Sequence, residues 1–562
     1  MKPRIPLVSA VLNGVAAVLS LSLLAVPPSV RGESADRVYD VLVYGDSSGA
    51  VVAAISAHRE GRAVLLLNTT KFPGGMSASG LGATDFMGYR RTFGGIASEF
   101  YDGIAAAYGK TDVRSFEPHV GQQVFEKLLA DSGVPVVYGE QLDRDSGKGV
   151  TMEGRQLKAL RTLSGKTYRA KMFIDASYVG DLMAAAGVQY TVGREPEQQY
   201  GESLAGVRRG DSKERPHYTQ GDKDHFIRKV DAYVKPGDPS SGLLPRISKI
   251  EDLKNGQGDK KIQAYNYRVC LTSDPARRIP LEKPEGYREL DHELLLRNFE
   301  AGDGRIPALI EPLEGGGKKV DWNNMHAVGS DHPGGNWEYP EASYARRLEI
   351  EREHETYIRG FLWTLMHHPR VPESIRTYTS KFGLPRDEFQ ENGGWPFMIY
   401  IREARRMVGD YVMTQSDCEG KRSATDPVGL ASFGMDSHVV QHFVTEDGKA
   451  NSDGVIWRVP PKPYGVSYRS IIPRRGDCEN LFSPICFSAS HVAHGSMRME
   501  PVFMTLSQSA AIAAGLALDR NTTVQDVPYT ALLERMVAAK QIVSVSQMAA
   551  KKPSAPKNPT RP

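Results

Sequence analysis

Cysteine is scarce: four in 562 residues, at Cys270, Cys418, Cys478 and Cys486. No two stand in C-x-x-C spacing, so neither a dithiol redox centre nor an iron–sulfur cluster has its ligand set. Cys478 and Cys486 are open either to a disulfide in an oxidising compartment or to a pair of buried free thiols. The zinc-hydrolase pattern H-E-x-x-H is missing, because His354-Glu355 is followed by Ile358 where the second histidine belongs. His367-His368 stands beside Pro369, which reads as a helix C-terminal cap. No metal is expected. Gly315-Gly316-Gly317-Lys318 lacks both a spaced partner glycine and a hydroxyl residue after the lysine, so it is no P-loop. Charge of one sign is not in excess either. A net charge of +3, without a basic stripe interleaved with aromatics, excludes a nucleic-acid partner.

What remains is the composition of a globular enzyme, 40% hydrophobic and 24% charged, long enough for several domains. Near the start, Lys2 and Arg4 precede an uncharged run from Ile5 to Val30. Small residues around Gly32 suit a signal peptidase, so residues 1–32 read as a signal peptide. An uncleaved anchor is the alternative, since the run is near spanning length. Pro27 and Pro28 favour cleavage, which makes the mature chain exported, periplasmic or secreted, with no stable membrane insertion.

The richest stretch runs from Tyr39 to Asp85. An apolar strand, Val41 to Tyr44, breaks at Gly45 and enters an Ala-rich helix reaching about Arg59, with a second apolar strand at Ala63 to Leu67. This βαβ pattern directs helix N-terminal amides at a dinucleotide pyrophosphate. The G-x-G-x-x-G fingerprint reads Gly45-Asp46-Ser47-Ser48-Gly49-Ala50. Gly45 keeps the tight turn, Ser47 replaces the glycine of closest approach, and Ala50 is an accepted variant at the packing position. Asp46 is unfavourable beside a diphosphate unless it points outward. Asn68, at the end of the second strand, can accept a ribose hydroxyl without charge assistance. Gly74-Gly75-Met76-Ser77 follows, which a nicotinamide site does not require, so FAD is the expected cofactor. No second fingerprint exists for NAD(P)H. Electrons must then come from a small-molecule substrate and leave to an unidentified acceptor: oxygen, a quinone or a cytochrome.

Further distinctive segments lie far apart along the chain. Phe72–Asp85, Phe116–Val120, Phe173–Leu182 and Gln199–Gly206 come first, then Tyr265–Arg268 and Arg402–Asp410. Met435–His438, Ser488–His491, Gly495–Pro501 and Leu506–Ala510 close the series. Through them the span from Tyr39 to about Val543 resembles a bacterial family of FAD-dependent oxidoreductases often labelled xanthan lyase-like. The resemblance implies an α/β fold: a Rossmann-like FAD-binding domain of the glutathione-reductase type with an inserted α+β substrate domain. Its parts are 37–193 and 464–548 for the flavin domain, 194–463 for the insert, and 549–562 for a disordered tail. It implies that Ala176 belongs to a turn returning to the pyrophosphate, and it adds Ser507 to the cofactor residues. It places the strand expected at Asn480 to Phe487, the polar loop through Ser496 and the helix from Pro501 beside the isoalloxazine. His491 is then the candidate base, with Arg498 and Glu500 as substrate-binding or ring-tuning groups. The structural alternatives are a backbone-bonded His491 and a local Arg498–Glu500 ion pair. His438, Arg402 and Asp85 are secondary candidates. The expected activity is oxidation of a polar molecule, such as a sugar or carbohydrate fragment, by hydride transfer to flavin. A polysaccharide lyase and a binding protein with a decayed flavin site are the alternatives.

Overall fold

A computed structural model describes residues 37–85, 90–144, 147–209 and 224–550. The expected signal peptide and all but the first two residues of the expected tail lie outside them. Strand β1 (Val38–Tyr44), helix α1 (Ser48–Arg59) and strand β2 (Val64–Asn68) form the expected βαβ unit, with both strands parallel. Helix α2 (Gly95–Ala107) and helix α3 (Pro118–Ser132) precede β3 (Val136–Tyr138), which adds in parallel to β2. Gly133 ends α3 in the left-handed region that glycine tolerates best.

Strand β4 (Val150–Glu153) pairs antiparallel with β5 (Gln156–Arg161). The long strand β6 (Thr167–Asp175) then runs parallel to β1 on the side opposite β2. Its first residues pair with β5, while Phe173 and Ile174 pair in parallel with a strand from far along the chain, Leu481–Phe482. The central sheet is therefore a Rossmann-like parallel core with an antiparallel hairpin at one edge. Val41–Tyr44 of β1 and all of β2 are continuous buried runs, mostly Val and Leu, as strands covered on both faces require.

The helix Glu500–Arg520 lies along α1. Pro501 sits in its first turn, as expected from the sequence. A Cβ on Gly49 would stand 2.4 Å from Ser507 Oγ and 3.1 Å from the Phe503 carbonyl, so glycine is what lets the two helices meet. The later helix is apolar and long enough to cross a membrane, but 94% of its apolar window is buried inside the protein.

Between β6 and the return strand, the chain forms small sheets and a 24-residue helix, Tyr344–His367. Two local expectations change. The strand expected over Asn480–Phe487 shrinks to Leu481–Phe482, because β6 ends at Asp175 and offers no partner beyond Ile174. The expected polar loop contains the helix His491–Met497, capped by Ser490, whose hydroxyl accepts from the Ala493 amide at 3.1 Å. All four cysteines are buried and free, which decides the open pairing in favour of thiols.

Candidate active site

The glycine turn is built by close contacts. Gly45 has φ +142°, and a Cβ there would lie 2.3 Å from the Ala176 carbonyl carbon, so only glycine fits between β1 and the end of β6. Ser47 caps α1: its hydroxyl accepts from the Ala50 amide at 3.2 Å and donates to the Ala176 carbonyl at 2.6 Å. The serine that breaks the fingerprint thus ties the turn to the returning strand. Ser48 opens the helix with a buried hydroxyl.

The Gly75–Ala78 turn packs directly on this corner. A Cβ on Gly75 would meet Tyr178 Oη at 2.4 Å and Ser47 Cα at 2.8 Å, and the Met76 amide donates to Tyr178 Oη at 3.0 Å. Glu500 reaches the same corner from the later helix. Its Oε1 accepts from Tyr178 Oη at 2.7 Å and its Oε2 from Ser77 Oγ at 3.4 Å, with the Ser48 hydroxyl beside it. Burial lifts the Glu500 carboxyl to about 7 against these neighbouring hydroxyls. Burial also raises Asp46, which is held by Thr69 and the Tyr178 backbone rather than pointing freely outward.

Not every expected cofactor residue faces this corner. Asn68 closes its own loop: Oδ1 accepts from the Thr70 amide and hydroxyl, both at 3.0 Å, and Nδ2 donates to the Phe72 carbonyl at 3.4 Å. Ser507 packs in the helix interface against Gly49. Gly74 abuts the Phe125 ring. The remaining donor set fits the diphosphate end of a dinucleotide: a strand–turn–helix corner, two glycines whose positions no side chain could fill, and a buried Ser48 hydroxyl with no well-aligned hydrogen-bond partner.

A second centre lies at the helix His491–Met497. His491 Nδ1 stands 2.8 Å from Glu403 Oε2, and its backbone amide donates to Glu195 Oε2 at 2.9 Å. His491 Nε2 is buried without a hydrogen-bond partner. Burial opposes ionisation of Glu403, but His491 and then Arg406 hold it down at about 2. Arg406 in turn donates to Glu195 at 2.6 Å. A neighbouring carboxyl, Glu202, is raised to about 7 by burial, although it accepts from Ser490 Oγ at 2.6 Å.

Arg498 does not pair with Glu500. It donates to Asp436 Oδ2 at 3.0 Å and to Tyr400 Oη at 2.9 Å. Arg402 lies 2.9 Å from Asp331, whose other oxygen meets His438 Nδ1 at 2.7 Å. Arg268 forks onto Asp321, with Nε donating at 3.0 Å. The guanidiniums of Arg402, Arg498 and Arg268 surround the Tyr400 ring at 5.0, 5.8 and 6.0 Å. Asp85, raised by burial, feels Arg268 and Arg498. Segments hundreds of residues apart therefore converge on one buried ionic cluster. Sequence reading had singled out His491, Arg498, His438, Arg402 and Asp85 but missed Glu403, Tyr400 and Tyr178. Glu403 was findable, since it lies inside the Arg402-Glu-Ala-Arg-Arg406 segment.

One further acidic group, Glu117, His119 and Glu388, has metal-like spacing. The buried Lys319 ammonium contacts Glu117 at 2.7 Å and Glu388 at 2.6 Å, so a cation is already supplied by the chain.

The parallel core, the glycine corner and the helix laid against α1 define an α/β flavoprotein. The model of the FAD-dependent oxidoreductase family matches residues 40–536, and the chain belongs to that family; it is an oxidoreductase and its cofactor is FAD. No curated protein matches the chain. Parts of it are similar to solved flavoenzymes. CabE, an aromatic hydroxylase from angucycline biosynthesis, is 14% identical over 28% of this chain and 35% of that one, with a TM-score of 0.23. OxyS anhydrotetracycline hydroxylase from Streptomyces rimosus is 11% identical over 29% and 36%, at 0.22. L-amino acid deaminase from Proteus vulgaris is 13% identical over 30% and 55%, at 0.21. The chain thus spans about a third of the length of the first of these.

Proposed function

We propose that this protein is an exported FAD-dependent dehydrogenase or oxidase that removes a hydride from a polar small molecule, a sugar or carbohydrate fragment. A single observation supports the chemistry best: His491 is anchored through Nδ1 to an ionised Glu403 while Nε2 has no partner. Hydride removal from a carbon bearing a hydroxyl needs a base for the departing proton. The Glu403 bond fixes the imidazole tautomer with the proton on Nδ1, leaving Nε2 as the acceptor. The carboxylate also balances the charge that arrives with that proton. Arg498, Arg402 and Asp331 line the neighbouring cluster with donors and acceptors suited to hydroxyl groups. Bound FAD supplies the two-electron acceptor.

In this reading, Gly45, Ser47, Ser48, Gly49, Ala50, Gly75, Met76, Ser77 and Ala176 form the diphosphate corner, and 194–463 contributes the substrate side. The polysaccharide lyase reading has no observation in its favour. The test is the visible spectrum of the purified protein, followed by anaerobic addition of candidate sugars. Bleaching of the flavin by a sugar, and its absence in a His491→Ala protein with equal FAD content, is the expected result. A flavin that no polyol or sugar reduces, but that an amine or aromatic substrate does, would overturn the substrate class.

A further inference from the structure

A diphosphate-binding corner normally presents donors and excludes carboxylates, because the helix N-terminus is there to attract an anion. In this chain a carboxylate already sits on it. Glu500 accepts from Tyr178 Oη at 2.7 Å and Ser77 Oγ at 3.4 Å, and lies beside Ser48, the first residue of α1. It is 4% exposed. The charged and titratable groups facing it are Asp46 from the turn, Tyr178 beyond β6 and Tyr101 from α2. Among the described residues no lysine, arginine or histidine pairs with Glu500, since Arg498 is turned to Asp436 and Tyr400. Two carboxyls, Glu500 and Asp46, therefore flank an anion site without a cation to balance them.

We propose that Glu500 is a resident acid on the diphosphate corner, and that binding of FAD takes up one proton at this carboxyl. The inference rests on the corner being the FAD site. An ionised Glu500 facing a dinucleotide diphosphate repels it, whereas the neutral acid can donate a hydrogen bond to it. The carboxyl already lies near neutrality, through burial, so the exchange falls in an accessible pH range. The sign follows: affinity is greatest below about pH 7 and weakens as pH rises.

The measurement is the dissociation constant of the holoprotein for FAD, read from the flavin fluorescence released on dilution at a series of pH values. With one proton taken up, the wild-type constant should rise about 30-fold between about pH 6 and about pH 8.5. Glu500→Gln should be flat across the range. Tyr178→Phe removes a hydrogen bond that lowers the Glu500 pKa, so its rise should begin at higher pH. Asp46→Asn should keep the slope. Calorimetric titration of wild-type apoprotein with FAD at about pH 8.5, in two buffers of different ionisation heat, counts the proton directly, and decides the matter if Glu500→Gln fails to fold. A flat wild-type profile, an unchanged slope in Glu500→Gln, or no proton uptake would overturn the proposal. If Gly45→Leu folds and holds stoichiometric FAD, the corner itself is misassigned, a separate failure.

Discussion

His491 is held by acids on two sides, and each has a different consequence for a variant. Glu195 takes its backbone amide, which fixes the start of the helix His491–Met497, whereas Glu403 takes the ring. Replacing the ring by His491→Ala should lower kcat by ~10²–10⁴ while leaving FAD content intact, measured by stopped-flow flavin reduction beside the absorbance at about 450 nm expected of any oxidised flavin. Glu403→Gln retains a hydrogen-bond acceptor but loses the charge. It should cost less than His491→Ala and shift the pH profile of kcat, a change that a purely structural role for Glu403 would not produce. The proton-linked affinity argued for Glu500 belongs to this scale too, since one carboxyl decides it.

At the level of elements, two glycines carry the assembly of the flavin side. A side chain on Gly45 must push β1 away from Ala176, and one on Gly49 must push α1 away from the helix Glu500–Arg520. Gly49→Val should destabilise the fold by about 1–3 kcal/mol, seen as a lower urea midpoint with unchanged slope. Gly45→Leu should lose FAD altogether, seen as a colourless protein after gel filtration. The βαβ unit and the Pro501 helix were legible because apolar spacing and turn residues are local signals. The return strand was overread because its length is set by β6, a partner more than 300 residues away. The helix at His491 was hidden by its small, polar residues, whose helicity is fixed by the Ser490 cap and close packing: a Cβ on Gly495 would lie 2.5 Å from the Asp436 carbonyl. Asn68 was offered to the cofactor by its place after the second strand and Ser507 by the resemblance; which neighbours their short polar side chains meet depends on tertiary contacts that spacing does not encode.

Over the whole molecule, the thiols offer a direct check. All four are buried, and burial raises each of them, which keeps them as unreactive thiols. The native protein should therefore give almost no colour with a thiol reagent, and the unfolded protein should give four equivalents without reductant. Two equivalents would reveal a Cys478–Cys486 disulfide. Flavin should also stabilise the chain by mass action, by about 2.7 kcal/mol at 100 times its dissociation constant. A melting temperature that does not respond to added FAD in the apoprotein would contradict a site in the folded state.

The packing of α1 against the helix Glu500–Arg520 also sets an order of events during synthesis. Gly49 and Ser56 emerge from the ribosome early, yet the helix that covers this side of α1 is made only some 450 residues later. Until then α1 can pack on its own strands and on α3, but the face toward the later helix stays uncovered. Contacts this distant in sequence close slowly. Translation that stops before residue 500 leaves a product that cannot complete the diphosphate corner, since Glu500 and its helix are part of it, so cofactor loading must be among the last acts of maturation.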